Sequence, residues 1–337
     1  MGSIALQVPR VRDGSYFPSL LEPRRRAERA RVAVVQEAYV QGVSTRRVDE
    51  LVQALGLSGI SKSQVSLVCQ DLDAEVERFR TRSLQDAQYP YIWLDATSVK
   101  ARTNGRVTGQ AVVIAIGVNA QTGQREVLGL DVGPSADGVF WLAFLRGRVA
   151  RGLTGVQLVV SDAHEGLKAA IAAVLSGASW QRCRVHFIRN VLALVPKSAQ
   201  QRVAATIRTV FAQPEPEMAR QTWRQVAAGF HARSPKLAAL LDVAEADVLA
   251  YLTFPSEHWR QIWSNNPLER VNREVKRRTD VGGIFPTEAA IVRLVGMVLA
   301  EQHDEWQVTR RYFRAESLAK LASSQGAPAG ALTLAAS

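Results

Sequence analysis

Apolar positions recur at helical spacing from Arg29 to Tyr39, and again at Val48, Leu51, Val52 and Leu55. Ser44 is placed to cap this second run, Arg46 and Arg47 fall on its exposed side, and Gly56 is placed to end it. Ser61 can cap a third run carrying Val65, Val68, Cys69 and Leu72. Two short helices around a glycine-containing turn predict a helix-turn-helix or an ordinary helical hairpin. In the first case Lys62, Ser63, Gln64 and Ser66 stand where a recognition helix touches bases. Arg24, Arg25, Arg26 and Arg29 fit a solvated helix start.

The rhythm then changes. Tyr91-Ile92-Trp93-Leu94 is an unbroken apolar run, as in a strand buried on both faces, and Ala111 to Val118 is another. Glu126 to Val132 forms a third extended segment ending at Gly133-Pro134. A helix is expected from about Asp137 to Val149, a strand from Val156 to Val160, and a helix through Leu175. That order predicts an α/β layer. Residues 187–260 hold almost no strand-like run and read as helices broken near Pro214 and Pro216; 266–278 and 287–302 are further helices.

Composition narrows the function. With 337 residues, two or three domains are expected, and 47% hydrophobic residues exclude wholesale disorder. No run approaches a membrane-spanning length, residues 1–20 lack signal-peptide organisation, and Cys69 and Cys183 are too few for a disulfide framework, so no membrane partner and a cytoplasmic location are expected. Lys and Arg number 42 against 31 Asp and Glu, a net charge of +11, which favours a polyanionic partner. The largest excess, +5, lies in residues 176–263 and not in a tail, which favours a binding channel.

Asp95 and Asp162 each follow an apolar strand, where ligand sites of open α/β sheets form. Paired hard oxygen ligands suit Mg²⁺ or Mn²⁺ better than zinc. Asp162-Ala163-His164-Glu165 also fits a capping box. A third carboxylate is offered by Glu269, in a helix that Asn266 can cap and Pro267 can open; Glu269 itself could be the capping-box residue, or pair with Arg273. Glu269, Asn272, Arg273, Lys276 and Arg277 share one helical face, with Leu268, Val271 and Val275 opposite. Arg270 and Arg278 add to the basic character of this helix, and Asn265 and Asn266 at its start are further active-site candidates. Cys183 and His186 have the spacing of half a zinc site, but no second cysteine pair completes it, so a polar or packed pair near the active site is expected. No Walker loop, GxGxxG fingerprint or HExxH motif is present.

Several stretches together carry a family resemblance: Asp13–Arg26, Gly42–Cys69, Trp93–Ala96, Val160–Leu167 (VSDAHEGL), Cys183-Arg184-Val185-His186, Asn265–Arg278, Gly283–Pro286 and Glu301–Tyr312. With them the chain resembles the Mutator-type transposases of bacterial insertion sequences, the insertion sequence 256 family. The resemblance implies an RNase H-like (retroviral-integrase-like) α/β catalytic domain with an all-helical insertion, preceded by a helical DNA-binding region. Its Asp, Asp, Glu triad would be Asp95, Asp162 and Glu269, 67 and 107 residues apart. The Cys-x-x-His pair is also a signature of the family. Glu274 competes with Glu269 for the third place. The family further implies a segment ahead of the region matching Ile4–Pro18.

The domains expected on this basis are a helix-turn-helix-like region (1–88), the first part of the catalytic core (89–186), the helical insertion (187–262), the final core helices (263–315) and a tail (316–337). Two Mg²⁺ or Mn²⁺ ions per site, DNA as partner (terminal inverted repeats and target), a homodimer or higher homo-oligomer on DNA, and a nucleoid-associated location follow from the resemblance. Arg46, Arg47, Lys62, Gln64, Arg270, Arg273, Lys276, Arg277 and Arg278 are the expected DNA contacts. A catalytically inactive, transposase-derived DNA-binding protein and a metal-dependent nuclease without strand transfer are the competing functions.

Overall fold

The computed structural model describes residues 23–54 and 59–324. The chain divides into two compact units, Met1–Ala74 and Glu75–Ser337. In the first, α1 (Pro23–Val40), α2 (Thr45–Ala54) and α3 (Lys62–Val68) gather Val35, Val48, Val52, Val65 and Cys69 into a buried centre. Asp49 accepts the Ile60 N–H at 2.7 Å, and Gln36 donates to the Val68 carbonyl at 2.9 Å. Ser61 caps α3 in a reciprocal box with Gln64. The expected helix stop at Gly56 lies outside the described residues.

The helix α4 (Leu72–Thr81) contains the boundary between the units. The second unit is built on a mixed sheet of β1 (Tyr91–Thr103), β2 (Arg106–Val118), β3 (Arg125–Gly133), β4 (Leu158–Ser161), β5 (Ser179–Arg182) and a two-residue β6 (Ile284–Phe285). The order is β3-β2-β1-β4-β5, with β6 also against β1. The first three strands are antiparallel; β4 and β5 continue parallel to β1. Asn104 and Gly105 both take positive φ, 51° and 76°, the geometry of a tight two-residue hairpin turn.

β1 is far longer than its apolar start. Asp95 therefore lies within a strand, opposite Ile114 of β2, rather than following one. The polar half of the strand is held by the hairpin ladder instead of by burial. β5 was not expected at all: Ser179, Gln181 and Arg182 are polar. The strand forms because it pairs with β4 and because Gln181, fully buried, donates to the Val248 carbonyl and accepts from the Tyr251 N–H, both at 2.8 Å.

Alternation along β1 separates two layers. Ile92 and Leu94 point into the core made with α5 (Gly138–Ala150) and α6 (Glu165–Val174), where Trp141, Phe144, Leu145, Leu167 and Ile171 are buried. Tyr91, Trp93 and Asp95 take the other face. Residues 184–262 are helical, as α7 (Arg184–Ala193), α8 (Lys197–Val210), α9 (Pro216–Phe230), α10 (Pro235–Val248), two 3₁₀ turns (Ala250–Thr253 and Ser256–His258) and α11 (Trp259–Ile262). Phe187 stacks on Trp223, whose indole N–H donates to the Leu241 carbonyl at 3.0 Å, tying α7, α9 and α10 together. Then α12 (Asn266–Gly282) packs against β1, and α13 (Glu288–Val308) against β3. The expected tail contains α14 (Ala315–Ser324), which buries Leu318 and Leu321.

Candidate active site

The site is set first by strand register. Trp93 of β1 stands opposite Val160 of β4. Two residues further on come Asp95, within β1, and Asp162, the first residue after β4, near enough for the Asp162 charge to act on Asp95. The start of α12 is stapled over them. Trp93 donates its indole N–H to the Ser264 carbonyl at 3.1 Å. The Asn265 side chain donates to the Leu94 carbonyl at 3.0 Å, and its backbone N–H donates to Cys183 Sγ at 3.2 Å. Asn265 and Cys183 are both fully buried. Cys183 closes the end of β5 through its N–H to the Ser161 carbonyl, 2.8 Å away.

From that anchored start, one face of α12 turns toward β1. Asn272 donates its side-chain N–H to Asp95 Oδ2 at 2.8 Å. Asp95 Oδ1 accepts the Ala96 N–H at 2.9 Å. Glu269, one turn before Asn272, has Oε1 buried without a hydrogen-bond partner; its nearest cation is the Arg189 guanidinium of α7 at 3.9 Å. Asp162 Oδ1 lies 3.5 Å from His186 Nδ1 and accepts the Ala163 N–H at 3.1 Å.

Electrostatics mark these groups as one neighbourhood. Burial pushes the Asp95 carboxyl up to about 6, and the charges of Asp162 and Glu269 push the same way, against the Ala96 N–H and His186. His186 is pushed up to about 9, by its hydrogen bond with Cys183 first and by Cys183, Asp162 and Asp95 as neighbours, all opposing burial. Among the described residues, no three His, Cys, Asp or Glu side chains are drawn together closely enough to hold a metal ion.

Two local alternatives do not occur. Asp162 does not cap α6: His164 does, accepting the Leu167 N–H at 3.2 Å. Glu269 is not a capping-box residue, since α12 has Asn265 as its cap with no side-chain cap bond, and its carboxylate turns to Arg189 rather than Arg273. Asn266 is exposed at the first turn.

The cationic stripe is sorted by its partners. Arg270, Arg273 and Lys276 are exposed. Arg277 is exposed but gives two hydrogen bonds to Glu274, at 2.9 and 2.7 Å. Arg278 cannot contact DNA from where it lies: it is buried and bridges Glu274 and Glu301, each at 2.8 Å, locking α12 to α13. Glu274 is held down to about 2 by its hydrogen bonds from Arg277 and Arg278, and it is committed to that bridge. In the N-terminal unit, Arg46 and Arg47 are exposed and Lys62 opens α3. Gln64 is not free, because its amide oxygen accepts the Ser61 N–H at 2.8 Å. Arg189 escaped the sequence reading. The signal was there: it follows His186 by three residues on one helix, which puts both on one face.

Fold and site together define an α/β protein with an acidic centre over its parallel strands and a cationic helix beside it. Comparison with known proteins is consistent along the chain. The sequence model of the Mutator family of transposases matches residues 1–309. The transposase of an insertion sequence of Mycobacterium tuberculosis, IS1081, is 51% identical over 94% of this chain and 77% of its own length. That of IS406 from Burkholderia multivorans is 40% identical over 92% and 80%, and that of IS256 in transposon Tn4001 from Staphylococcus aureus is 35% identical over 93% and 80%. A solved Drosophila P element transposase strand transfer complex overlaps 89% of this chain at 13% identity, with a TM-score of 0.33, too slight a likeness to argue from. The chain belongs to the Mutator family of transposases. Among the described residues, no helix is long and apolar enough to cross a membrane.

Proposed function

We propose that this chain is a DDE-type transposase that binds the terminal inverted repeats of an insertion sequence and cuts and joins DNA at Asp95, Asp162 and Glu269. The observation that carries the reading is the juxtaposition of Asp95, within β1, and Asp162, directly after the neighbouring parallel strand β4, with Glu269 of α12 near enough for its charge to act on Asp95. The strand order β3-β2-β1-β4-β5 and the helical segment between Asp162 and Glu269 support an RNase H-like core with an all-helical insertion.

The donors fit a hard divalent cation. All three are carboxylates, Glu269 Oε1 is buried without a partner, and Asp95 is raised partly by the other two, a strain that a cation would relieve. The side chains do not converge as they stand, so holding a pair of Mg²⁺ or Mn²⁺ ions requires rotation of Asp162 and Glu269. Such ions would polarise the attacking oxygen and stabilise the leaving 3′ oxygen.

The chain's own groups do the rest. Asn272 and the Ala96 N–H fix both oxygens of Asp95, so this carboxylate is preoriented. Asn265 holds Glu269 in place through the α12 start, which binds both Leu94 and Cys183. His186 and Arg189 place positive charge beside Asp162 and Glu269. Arg270, Arg273 and Lys276 offer a surface for phosphates approaching the site, positioning the strand without reading sequence. No Ser or Tyr nucleophile is needed, because water or a 3′-OH attacks the phosphodiester in line. Engaging two element ends calls for at least two copies of the chain.

The test is a joining assay with the natural element ends and Mg²⁺. End cleavage and joining by wild type, both lost in Asp95→Asn, is the expected result. Binding without chemistry would identify an inactive DNA-binding protein, and cutting without joining a nuclease.

A further inference from the structure

The motif that closes the family resemblance, ending in Arg310-Arg311-Tyr312, has no part in the acidic centre. Its structural setting is a cleft of about 670 Å³ between the α13–α14 loop and the turn before α11. Arg310, Arg311 and Arg314 are exposed and line it. His258 and Gln261 form part of its wall.

The loop is held rigidly. Tyr312 and Phe313 both donate their N–H to the Gly123 carbonyl, at 2.9 and 3.0 Å. Gly123 has φ of 70°, and a side chain there would collide with the Phe313 carbonyl, so the approach requires glycine. Phe313 packs edge-on against His258, and Tyr312 against Trp93. Arg125 lies over the rings of Trp306 and Tyr312. Three arginines are thus presented from a fixed frame.

The wall carries unused polar capacity. His258 is 1% exposed, and its Nε2 is buried without a partner, as is Gln261 Oε1. Tyr91 Oη lies 2.7 Å from His258 Nδ1; with the hydroxyl donating, the ring proton stays on Nε2 as a donor awaiting an acceptor. The Gln261 amide can present either end. Of the two acids on the rim, Glu257 is engaged by Lys320 at 2.6 Å, which leaves Glu316 against the three arginines. An anion with several acceptor oxygens fits this set.

Tyr91, beneath the cleft, shares its face of β1 with Asp95, four residues on. At a strand rise of about 3.3 Å per residue that is roughly 13 Å. We propose that this cleft is a second phosphate site that grips the DNA backbone a few nucleotides from the reacting phosphodiester. The proposal rests on the transposase reading for its occupant.

The test uses full-length protein carrying Asp95→Asn, so that only binding is read, and a labelled duplex bearing the element end. In that background Arg310→Ala, Arg311→Ala and Arg314→Ala together should weaken binding at least tenfold at moderate salt. They should also flatten the slope of log affinity against log salt by roughly two to three units. Replacement of the three by Lys should restore most of the affinity, and melting should be unchanged. Unaltered affinity and slope in a variant that melts like its parent overturns the site. Protection from melting by inorganic phosphate in wild type, lost in the variant while duplex binding is unaltered, overturns the DNA assignment in favour of a small-anion site. Loss of duplex binding in the triple variant, together with joining that survives Asp95→Asn in the separate joining assay, refutes the acidic centre and keeps the cleft.

Discussion

Asp95 lies two residues beyond Trp93 within β1, and Asp162 lies two residues beyond its pairing partner Val160, as the first residue after β4. Burial first, then the charges of Asp162 and Glu269, push the Asp95 carboxyl up to about 6 against the Ala96 N–H and His186, while the Asp162 side chain is 46% exposed.

If this centre performs the chemistry, Asp95→Asn, Asp162→Asn and Glu269→Gln should each reduce cleavage and joining to background, with DNA binding retained. Glu274→Gln should keep its turnover. It should instead cost roughly 1–3 kcal/mol of stability, because charged hydrogen bonds to Arg277 and Arg278 are weakened. Joining assays beside thermal melts separate the two outcomes, and an inactive Glu274→Gln with an active Glu269→Gln would reverse the assignment.

The cationic face of α12 should behave unevenly. Arg273→Ala with Lys276→Ala removes two exposed, unengaged cations and should flatten the salt dependence of duplex binding by about two units, for specific and random DNA alike. Arg278→Ala should leave that slope unchanged and lower the melting temperature, since Arg278 is buried between Glu274 and Glu301. A salt slope altered by Arg278→Ala and untouched by the double variant would contradict this division.

Asn265 should prove a positioning residue. Asn265→Ala leaves the Leu94 carbonyl without its side-chain donor and frees the start of α12, at a cost of about 1–3 kcal/mol. The rate of end cleavage should fall more than the affinity for DNA. Equal losses in both, or neither, would limit Asn265 to packing.

His258 sets an acid limit on stability. Burial pulls its pKa down to about 4, with Lys320 acting in the same direction and Glu257 against it. The unfolded chain takes up this proton near the ordinary value of about 6.5, so the folded form binds fewer protons between those limits. Stability from this group is complete above about pH 6.5 and is lost as pH falls toward 4. Melting curves from pH 7 to pH 4.5 should decline more steeply for wild type than for His258→Gln; parallel curves would show that His258 titrates normally in the fold.

Much of this molecule could be read from local pattern. Continuous apolar runs located the cores of β1, β2 and β4, because strands buried on both faces leave no polar positions. The helical stretch after Arg184 and the buried face of Leu268, Val271 and Val275 were legible for the same reason: burial imposes a period, and the period is written in consecutive residues. What depends on partners distant in sequence was not. β5 exists through Gln181 and its contacts some seventy residues away, and the polar half of β1 is a strand only because β2 pairs with it. The arginines of α12 look alike along the chain, yet Glu301 removes Arg278 from the surface and leaves Arg273 free. A charged side chain's role follows from what it faces across the fold, and that pairing is settled by tertiary packing, not by its position in the sequence.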